Sequence, residues 1–200
     1  MLKKYYNECG DYLNGPVFKA IAIVSGAFLT LAVIFTAYYW VHPDEADAIV
    51  QIFSQSAQSI YENGEINAWR LILNNIEAAG TSVLYGFIPF LFLPVISIVV
   101  NAVVIGAVIA AASRASGLAG VVIMGILPHG IFELSALFIC MGMGVYLCLV
   151  LSKKCLRRQT ASFKSVILGS CKVFVLIVIP LLITAGLIET YVTPYLVSLV

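Results

Sequence analysis

Charged residues are scarce in this sequence, and their scarcity excludes an ordinary soluble fold. Of the 200 residues, 10% are charged and 62% are hydrophobic, whereas a typical globular domain is about 25% charged and about 45–50% apolar. A soluble domain of this length cannot bury so much apolar surface, but a bilayer protein has lipid as its solvent. We therefore predict an all-α, polytopic transmembrane helical bundle that forms a single integral membrane domain over residues 1–200.

A long basic face and paired cysteines are also missing, and each absence excludes a class of protein. The formal net charge is +1, and the chain has no long basic face that could neutralise the phosphates of a nucleic acid. The five cysteines are an odd number and include no CxxC pair, which argues against a disulfide framework or a zinc knuckle. Membrane lipid is the partner that this composition indicates.

Long apolar runs make up much of the chain and predict about five membrane segments, some of them broken or re-entrant. A helix of about 20 apolar residues spans the hydrocarbon core. Proline interrupts two runs, and at Pro128 we expect a break into pieces over 118–127 and about 131–152, because proline cannot donate to the helix ladder. The run over 81–112 is either one kinked helix or two short helices. The predicted membrane segments are 17–41, 81–112, 118–152 and 165–188.

An acid-rich connector over residues 42–79 separates the first two apolar runs. Pro43 followed by acids indicates a helix start, and apolar residues recur at helical spacing, so we predict an amphipathic helix of about 17 residues. Asn63-Gly64 is a turn signal, and a second short helix is expected near 66–79. The connector is interpreted either as a solvated link or as a surface that binds a partner.

The distribution of Lys and Arg predicts the orientation in a bacterial cell membrane. Lys3 and Lys4 place the N-terminus in the cytoplasm. The basic loop over 153–164, which contains no acid, is also expected to be cytoplasmic, because short loops rich in Lys and Arg stay inside. The connector over 42–79 is then extracytoplasmic, and an odd number of crossings must lie between residues 80 and 152. Three crossings meet this condition, and so does one crossing with re-entrant pieces.

Polar side chains inside the apolar runs are the candidates for chemistry, because an ionised group in mid-bilayer costs roughly 2.5–3.5 kcal/mol on insertion scales. His129 and Glu133 are four residues apart, so they lie on one face of a helix that begins near Pro128. One interpretation is a structural lock, in which Glu133 accepts hydrogen bonds from backbone groups freed at the break. The other is a proton or divalent metal site, which needs carboxylates such as Glu189 or Glu77 to complete it.

Three asparagines extend this polar set. Asn74 and Asn75 are expected to cap a helix or to satisfy backbone groups at a break. Asn101 is expected to form a hydrogen bond across a helix pair. The sequence shows no nucleophile triad, phosphate-binding loop or other catalytic constellation, so we predict no enzyme activity and no cofactor beyond the candidate divalent metal ion.

Small residues indicate where helices approach each other closely. Gly106 and Ala110 have the spacing of close helix contacts, and Gly142 lies in another apolar run. These residues favour packing of segments within one chain, and a homodimer face is the alternative.

The run Leu127-Pro128-His129-Gly130-Ile131-Phe132-Glu133-Leu134 resembles the signature of the stage II sporulation protein M family. The run Ile188-Glu189-Thr190-Tyr191-Val192-Thr193-Pro194 is similar to the C-terminal motif of that family. Leu73-Asn74-Asn75 and Asn101 with Gly106 resemble two further blocks, and Ser135 departs from the proline that many members have. The motif positions carried over to this sequence are Asn74, Asn75, Asn101, His129, Glu133 and Glu189.

The resemblance implies a non-enzymatic membrane scaffold that acts in engulfment during bacterial sporulation. It also implies two peptidoglycan-remodelling partners, sporulation proteins D and P, which are recruited at the septal membrane. The residues themselves keep a second hypothesis open, a transporter, channel or metal-binding membrane protein with a site at His129 and Glu133. Transporters build midplane sites from broken helices in this way.

Overall fold

The computed structural model describes residues 2–62, 64–117, 120–159 and 161–198. Asn63 of the predicted turn, residues 118 and 119 of the third apolar run and Thr160 of the basic loop lie outside the described residues. Helix dominates, because it satisfies its backbone hydrogen bonds internally where lipid offers no partner. The helices are α1 (Leu2–Leu13), α2 (Pro16–Val41), α3 (Pro43–Ser56), α4 (Ala68–Leu84), α5 (Pro94–Ser116), α6 (Leu127–Cys155), α7 (Phe163–Val173), α8 (Ile179–Tyr191) and α9 (Thr193–Val197).

Within the described part of the chain, four helical stretches are long and apolar enough to span a membrane. They are Pro16–Val41, Pro94–Arg114, Val122–Cys155 and Phe163–Tyr191. This finding confirms the predicted polytopic helical bundle. The orientation of the bundle in the membrane stays a prediction.

The fifth segment of the bundle is α4, and its position differs from the prediction. The 17 residues of α4 form a helix about 25 Å long, which packs against α6 and α8. The short helix expected near 66–79 as part of the connector is therefore the first part of a bundle helix. Its polar residues made it resemble a connector in sequence, although Asn74 and Asn75 line a space inside the bundle.

The segment between α4 and α5 contains a genuine break in the helix. A 3₁₀ turn over Tyr85–Phe87 is followed by an irregular stretch that ends where Pro94 starts α5. The backbone groups freed by the break find partners on α6, since the Phe90 N–H donates to Ser152 Oγ (2.9 Å) and the Cys148 thiol donates to the Ile88 carbonyl (3.3 Å). The run over 81–112 is therefore not one kinked helix, and it contains the end of α4 and the 23-residue α5 rather than two short helices.

The break predicted at Pro128 is absent from the described residues 120–155. A π-helical turn over Val121–Ile126 leads directly into α6, with Pro128 in the first turn of α6. Proline lacks an N–H and its ring clashes with the carbonyl four residues earlier, and a wider turn relieves both problems. Pro180 is preceded by the same kind of turn, over Phe174–Val178. The prediction of two separate pieces, 118–127 and 131–152, is therefore wrong.

Two helices approach α2 so closely that side chains larger than glycine are excluded. A Cβ added at Gly142 of α6 would lie 2.8 Å from the Ile21 Cα, and one added at Gly106 of α5 would lie 2.9 Å from the Thr36 N. Ala110 is also fully buried inside the chain. Because these small residues are used in contacts within the chain, a homodimer, the alternative interpretation, would require another surface.

Shorter elements lie at the two opposite ends of the bundle. We call the end with α1, the 85–93 break and the loop after Cys155 the α1 end. We call the end with α3, the following hairpin and α9 the α3 end. At the α3 end Arg114 forms an ion pair with Asp47, and strands β1 (Tyr61–Glu62) and β2 (Glu65–Ile66) pair in antiparallel fashion.

Polar contacts hold α1 against α7 at the α1 end. Lys172 Nζ donates to Glu8 Oε2 (2.6 Å), and this hydrogen bond lowers the pKa of Glu8 from its ordinary value. The pair therefore supports docking of α1 above the ordinary pKa of a glutamate, and this support is lost as the pH falls through the lowered pKa. Tyr12 OH lies 2.9 Å from Ser170 Oγ, and burial raises the pKa of Tyr12 to about 12.

Replacement of Gly142 by alanine is expected to separate α6 from α2. The added methyl group overlaps the Ile21 backbone, and overpacking of this kind costs about 1–3 kcal/mol. Gly26→Ala in α2 is the matched control, because a Cβ there meets nothing within 4 Å. Thermal unfolding of the purified proteins in detergent measures the difference. Equal unfolding midpoints for the two variants would contradict the close contact.

Candidate functional site

His129 and Glu133 lie on the first two turns of α6 and face the interior of the bundle. α6 begins at Leu127 with Pro128 in its first turn, so His129 and Glu133 are one helical turn apart, as predicted. Both side chains and the buried Gly130 line one cavity of about 920 Å³. The proline at the helix start therefore sets the position of the histidine at the cavity wall.

Glu189 joins this pair from α8. One ligand atom each from His129, Glu133 and Glu189 lies within 4.8 Å of the other two. The contact arises because α6 and α8 pack together with the start of α6 beside the end of α8. The structure thus brings together the three residues that the sequence named as a candidate metal set.

The three predicted asparagines line the same cavity, together with Pro194. Their roles differ from the expectation. Asn74 and Asn75 lie in the middle of α4 and do not cap it, because the cap is Asn67, whose side chain accepts from the Arg70 N–H (3.1 Å).

Asn101 also makes a different contact from the one expected. Its Nδ2 donates to the Ser97 carbonyl (2.8 Å) within α5 and does not reach another helix in the described structure. Asn75 Nδ2 is buried, lines the cavity and has no hydrogen-bond partner among the described residues. An amide in that state is available to a polar ligand, because buried polar groups are normally paired.

Glu77 lies outside the cluster, in an adjacent crevice between α4 and α5. This crevice has a volume of about 360 Å³ and shares Asn74 and Asn101 with the main cavity. Thr81 and Ser97 also line it, so polar groups continue along the contact between the two helices. Glu77 is therefore a neighbour of the site and does not complete the set formed by His129, Glu133 and Glu189.

The carboxylates of Glu133 and Glu189 have no cationic partner among the described residues. Neither Glu133 nor Glu189 takes part in an ion pair there, and no hydrogen bond is formed by either carboxylate in that part of the chain. The structural-lock interpretation required Glu133 to accept from backbone groups at a break, and that contact is not among the described ones. A carboxylate in apolar surroundings needs a proton or a cation to offset its charge.

Two groups of residues at the site were not singled out from the sequence. Thr193, inside the C-terminal motif, places its Oγ1 3.3 Å from His129 Nδ1. The α3 end covers the cavity with side chains of the connector, namely Phe53, Ala57, Ile60 and Tyr61. Thr193 lies four residues after Glu189, and this spacing could have identified it from the sequence. The residues that cover the cavity could not be found in this way, because their position depends on how α3 packs in three dimensions.

This arrangement can hold a charged or polar ligand. Two carboxylates and an imidazole that face one space can bind a cation or share protons, and the amides can donate to a ligand or accept from it. Toward the α1 end the bundle is filled by fully buried side chains, including Cys140, Met141 and Met143.

The fold and the cavity define a polytopic helical membrane protein with a polar site inside the bundle. The family model described as Stage II sporulation protein M matches residues 23–194, and the chain belongs to that family. The resemblance seen in the motifs is thereby confirmed, and it makes this a sporulation-related membrane protein. No curated protein and no solved structure matches the chain.

The convergence of α6 and α8 predicts a cross-link between two substituted cysteines. Glu133→Cys with Glu189→Cys is expected to react with a short bifunctional thiol reagent, because the native side-chain atoms lie within 4.8 Å. The background replaces the exposed Cys155 and Cys171 by serine. Intact mass reports the bridge.

The matched control for this cross-link is Glu77→Cys with Glu189→Cys. Ile72 of α4 meets Gly186 of α8, and from that contact Glu77 and Glu189 lie in opposite directions. Their separation along the bundle is roughly 12 Å, from the rise per residue. A bridge in the control pair at the same rate as in the Glu133 pair would contradict the described site.

Proposed function

We propose that this chain is a non-enzymatic membrane scaffold in bacterial sporulation, which recruits peptidoglycan-remodelling partners during engulfment. Membership of the stage II sporulation protein M family supports a role in sporulation. The observation that carries the proposal is the surface presented at the α3 end. It is built from a helix and a hairpin that are packed on the bundle, so it offers a partner a fixed shape.

The α3 surface combines acids with apolar side chains, and it consists of the exposed residues Asp44, Glu45, Ile52, Tyr61 and Glu65. Ile52 is 64% exposed and gives this surface a large apolar side chain. Protein interfaces commonly have an apolar centre with a polar rim. The ion pair between Asp47 and Arg114 and the fully buried Ala46 anchor the helix that carries this surface.

The predicted orientation agrees with this use of the surface. Peptidoglycan lies outside the cytoplasmic membrane, so partners that remodel it must be met on the outer side. The basic loop over 153–164 predicts that the opposite end of the bundle is cytoplasmic. The α3 end and its acids are then extracytoplasmic. The partners that we propose, from the family resemblance, are sporulation proteins D and P.

A triple substitution tests the scaffold. Asp44→Asn, Ile52→Ser and Glu65→Gln together are expected to weaken recruitment of proteins D and P at least about tenfold, because they remove interface charge and an apolar anchor. These changes add no positive charge that would disturb the orientation. Co-purification of both partners from membranes of sporulating cells gives the measurement.

The control for this test is Asp11→Asn, an exposed acid at the α1 end. It is expected to leave the amount of each co-purified partner unchanged. The scaffold proposal in this form is wrong if the triple variant recruits both partners as well as the unsubstituted chain does. If the control and the triple variant lose recruitment to the same extent, the effect comes from the loss of acidic charge anywhere on the chain and not from the α3 surface.

Binding of a cation or polar solute in the cavity is the second candidate function. The observation that favours it is the convergence of His129, Glu133, Glu189 and three asparagines on one space inside the bundle. The 85–93 break between α4 and α5 resembles the broken helices of transporters. The close packing toward the α1 end fits a binding site better than an open channel.

A further inference from the structure

We propose that His129, Glu133 and Glu189 bind a divalent transition-metal ion of the zinc or manganese class inside the bundle. This inference names the ligand of the cavity-binding function, on which it rests, and it does not depend on the scaffold. Four features of the structure carry it: the geometry of the three side chains, their net charge, the chemistry of the donor atoms and the space beside them.

The geometry is close to that of a three-ligand metal site. Since the three ligand atoms lie within 4.8 Å of one another, a point no more than about 2.8 Å from all of them exists. Metal–ligand distances to imidazole nitrogen and carboxylate oxygen are about 2.0–2.2 Å. Side-chain rotations that shift each ligand atom by less than about 1 Å therefore bring all three atoms into the coordination sphere, without movement of α6 or α8.

The charge of the two carboxylates in the cluster matches that of one divalent cation. Two carboxylates without a cationic partner in apolar surroundings carry a large desolvation penalty. The ion pairs found in the described part of the chain are Arg70–Glu62, Arg114–Asp47 and Lys172–Glu8. Since Glu133 and Glu189 belong to none of them, an ion of charge +2 would neutralise both carboxylates at once.

The donor atoms favour a transition metal over magnesium or calcium. Imidazole nitrogen suits zinc and related ions, whereas magnesium and calcium prefer oxygen ligands throughout. His129 Nδ1 lies 3.3 Å from Thr193 Oγ1, and a contact of this kind orients a histidine that binds metal through Nε2. Thr193 is accordingly a positioning residue.

The space beside the cluster leaves part of the coordination sphere open. Three protein ligands with a fourth position for water or ligand are typical of zinc sites that act on a ligand, whereas purely structural sites are closed by four. The cavity of about 920 Å³ adjoins the cluster, and the buried Nδ2 of Asn75 lines it without a partner among the described residues. That amide is placed to donate to a water or ligand held in the cavity.

Elemental mass spectrometry on the purified full chain tests the site. The protein in detergent is stripped with a chelator, equilibrated with zinc alone or manganese alone, and freed of unbound metal. We expect about one ion per chain in the unsubstituted protein, and at least about tenfold less in His129→Ala and in Glu133→Gln. Glu77→Gln, the same chemical change in the neighbouring crevice, is expected to retain the metal.

Thermal unfolding of the same samples distinguishes variants that have lost the metal site from variants that misfold. Metal that binds the native state raises the unfolding midpoint, so zinc or manganese is expected to stabilise the unsubstituted protein and Glu77→Gln but not Glu133→Gln. The proposal is overturned if the unsubstituted protein takes up neither metal. It is equally overturned if Glu77→Gln loses as much metal as Glu133→Gln, or if His129→Ala binds metal normally.

Recruitment of the two partners is measured on these variants as well, so that the two proposals fail separately. Loss of metal from Glu133→Gln with full recruitment supports the metal site and leaves the scaffold intact. Metal uptake by the unsubstituted protein together with failure of the triple α3 variant to reduce recruitment overturns the scaffold alone.

Discussion

Lipid provides no hydrogen-bond partners, and this constraint governs the architecture of the chain. Each backbone N–H and C=O at membrane depth must be satisfied by the protein itself, which is why helices dominate. Where the helix between α4 and α5 is interrupted, Ser152 and Cys148 of α6 bond to the freed backbone groups. The same constraint applies to side chains, so the polar residues of four different helices turn inward and share one cavity rather than face lipid.

Small residues allow the helices around that shared cavity to approach one another closely. Gly142 brings α6 onto the backbone of α2, and Gly144 brings it onto the carbonyl of Ser82 in α4. The polar residues of α4, α5, α6 and α8 line the cavity between these helices. The close contacts fix the helices relative to one another and so hold the site in place.

Much of the fold was predictable from hydropathy. For the site, the sequence predicted which residues belong to it but not how they are arranged in space. The apolar runs located the long helices, and the cost of intramembrane charge identified His129, Glu133 and Glu189. The position of α4 was missed because Asn74, Asn75 and Glu77 made a bundle helix look solvated. The break at Pro128 was expected because proline ordinarily ends a helix, but a π turn accommodates it here. The contact of Glu189 with Glu133 depends on the packing of α8 against α6, which periodicity does not encode.

The metal ion proposed between α6 and α8 would explain why two carboxylates persist in an apolar bundle, and this is the central claim about the site. The most direct test is anomalous X-ray scattering at the zinc edge from crystals of the full chain grown with zinc. We expect one peak inside the bundle, at about 2.0–2.2 Å from His129, Glu133 and Glu189. Well-ordered density for the three side chains with no anomalous peak between them would contradict the account.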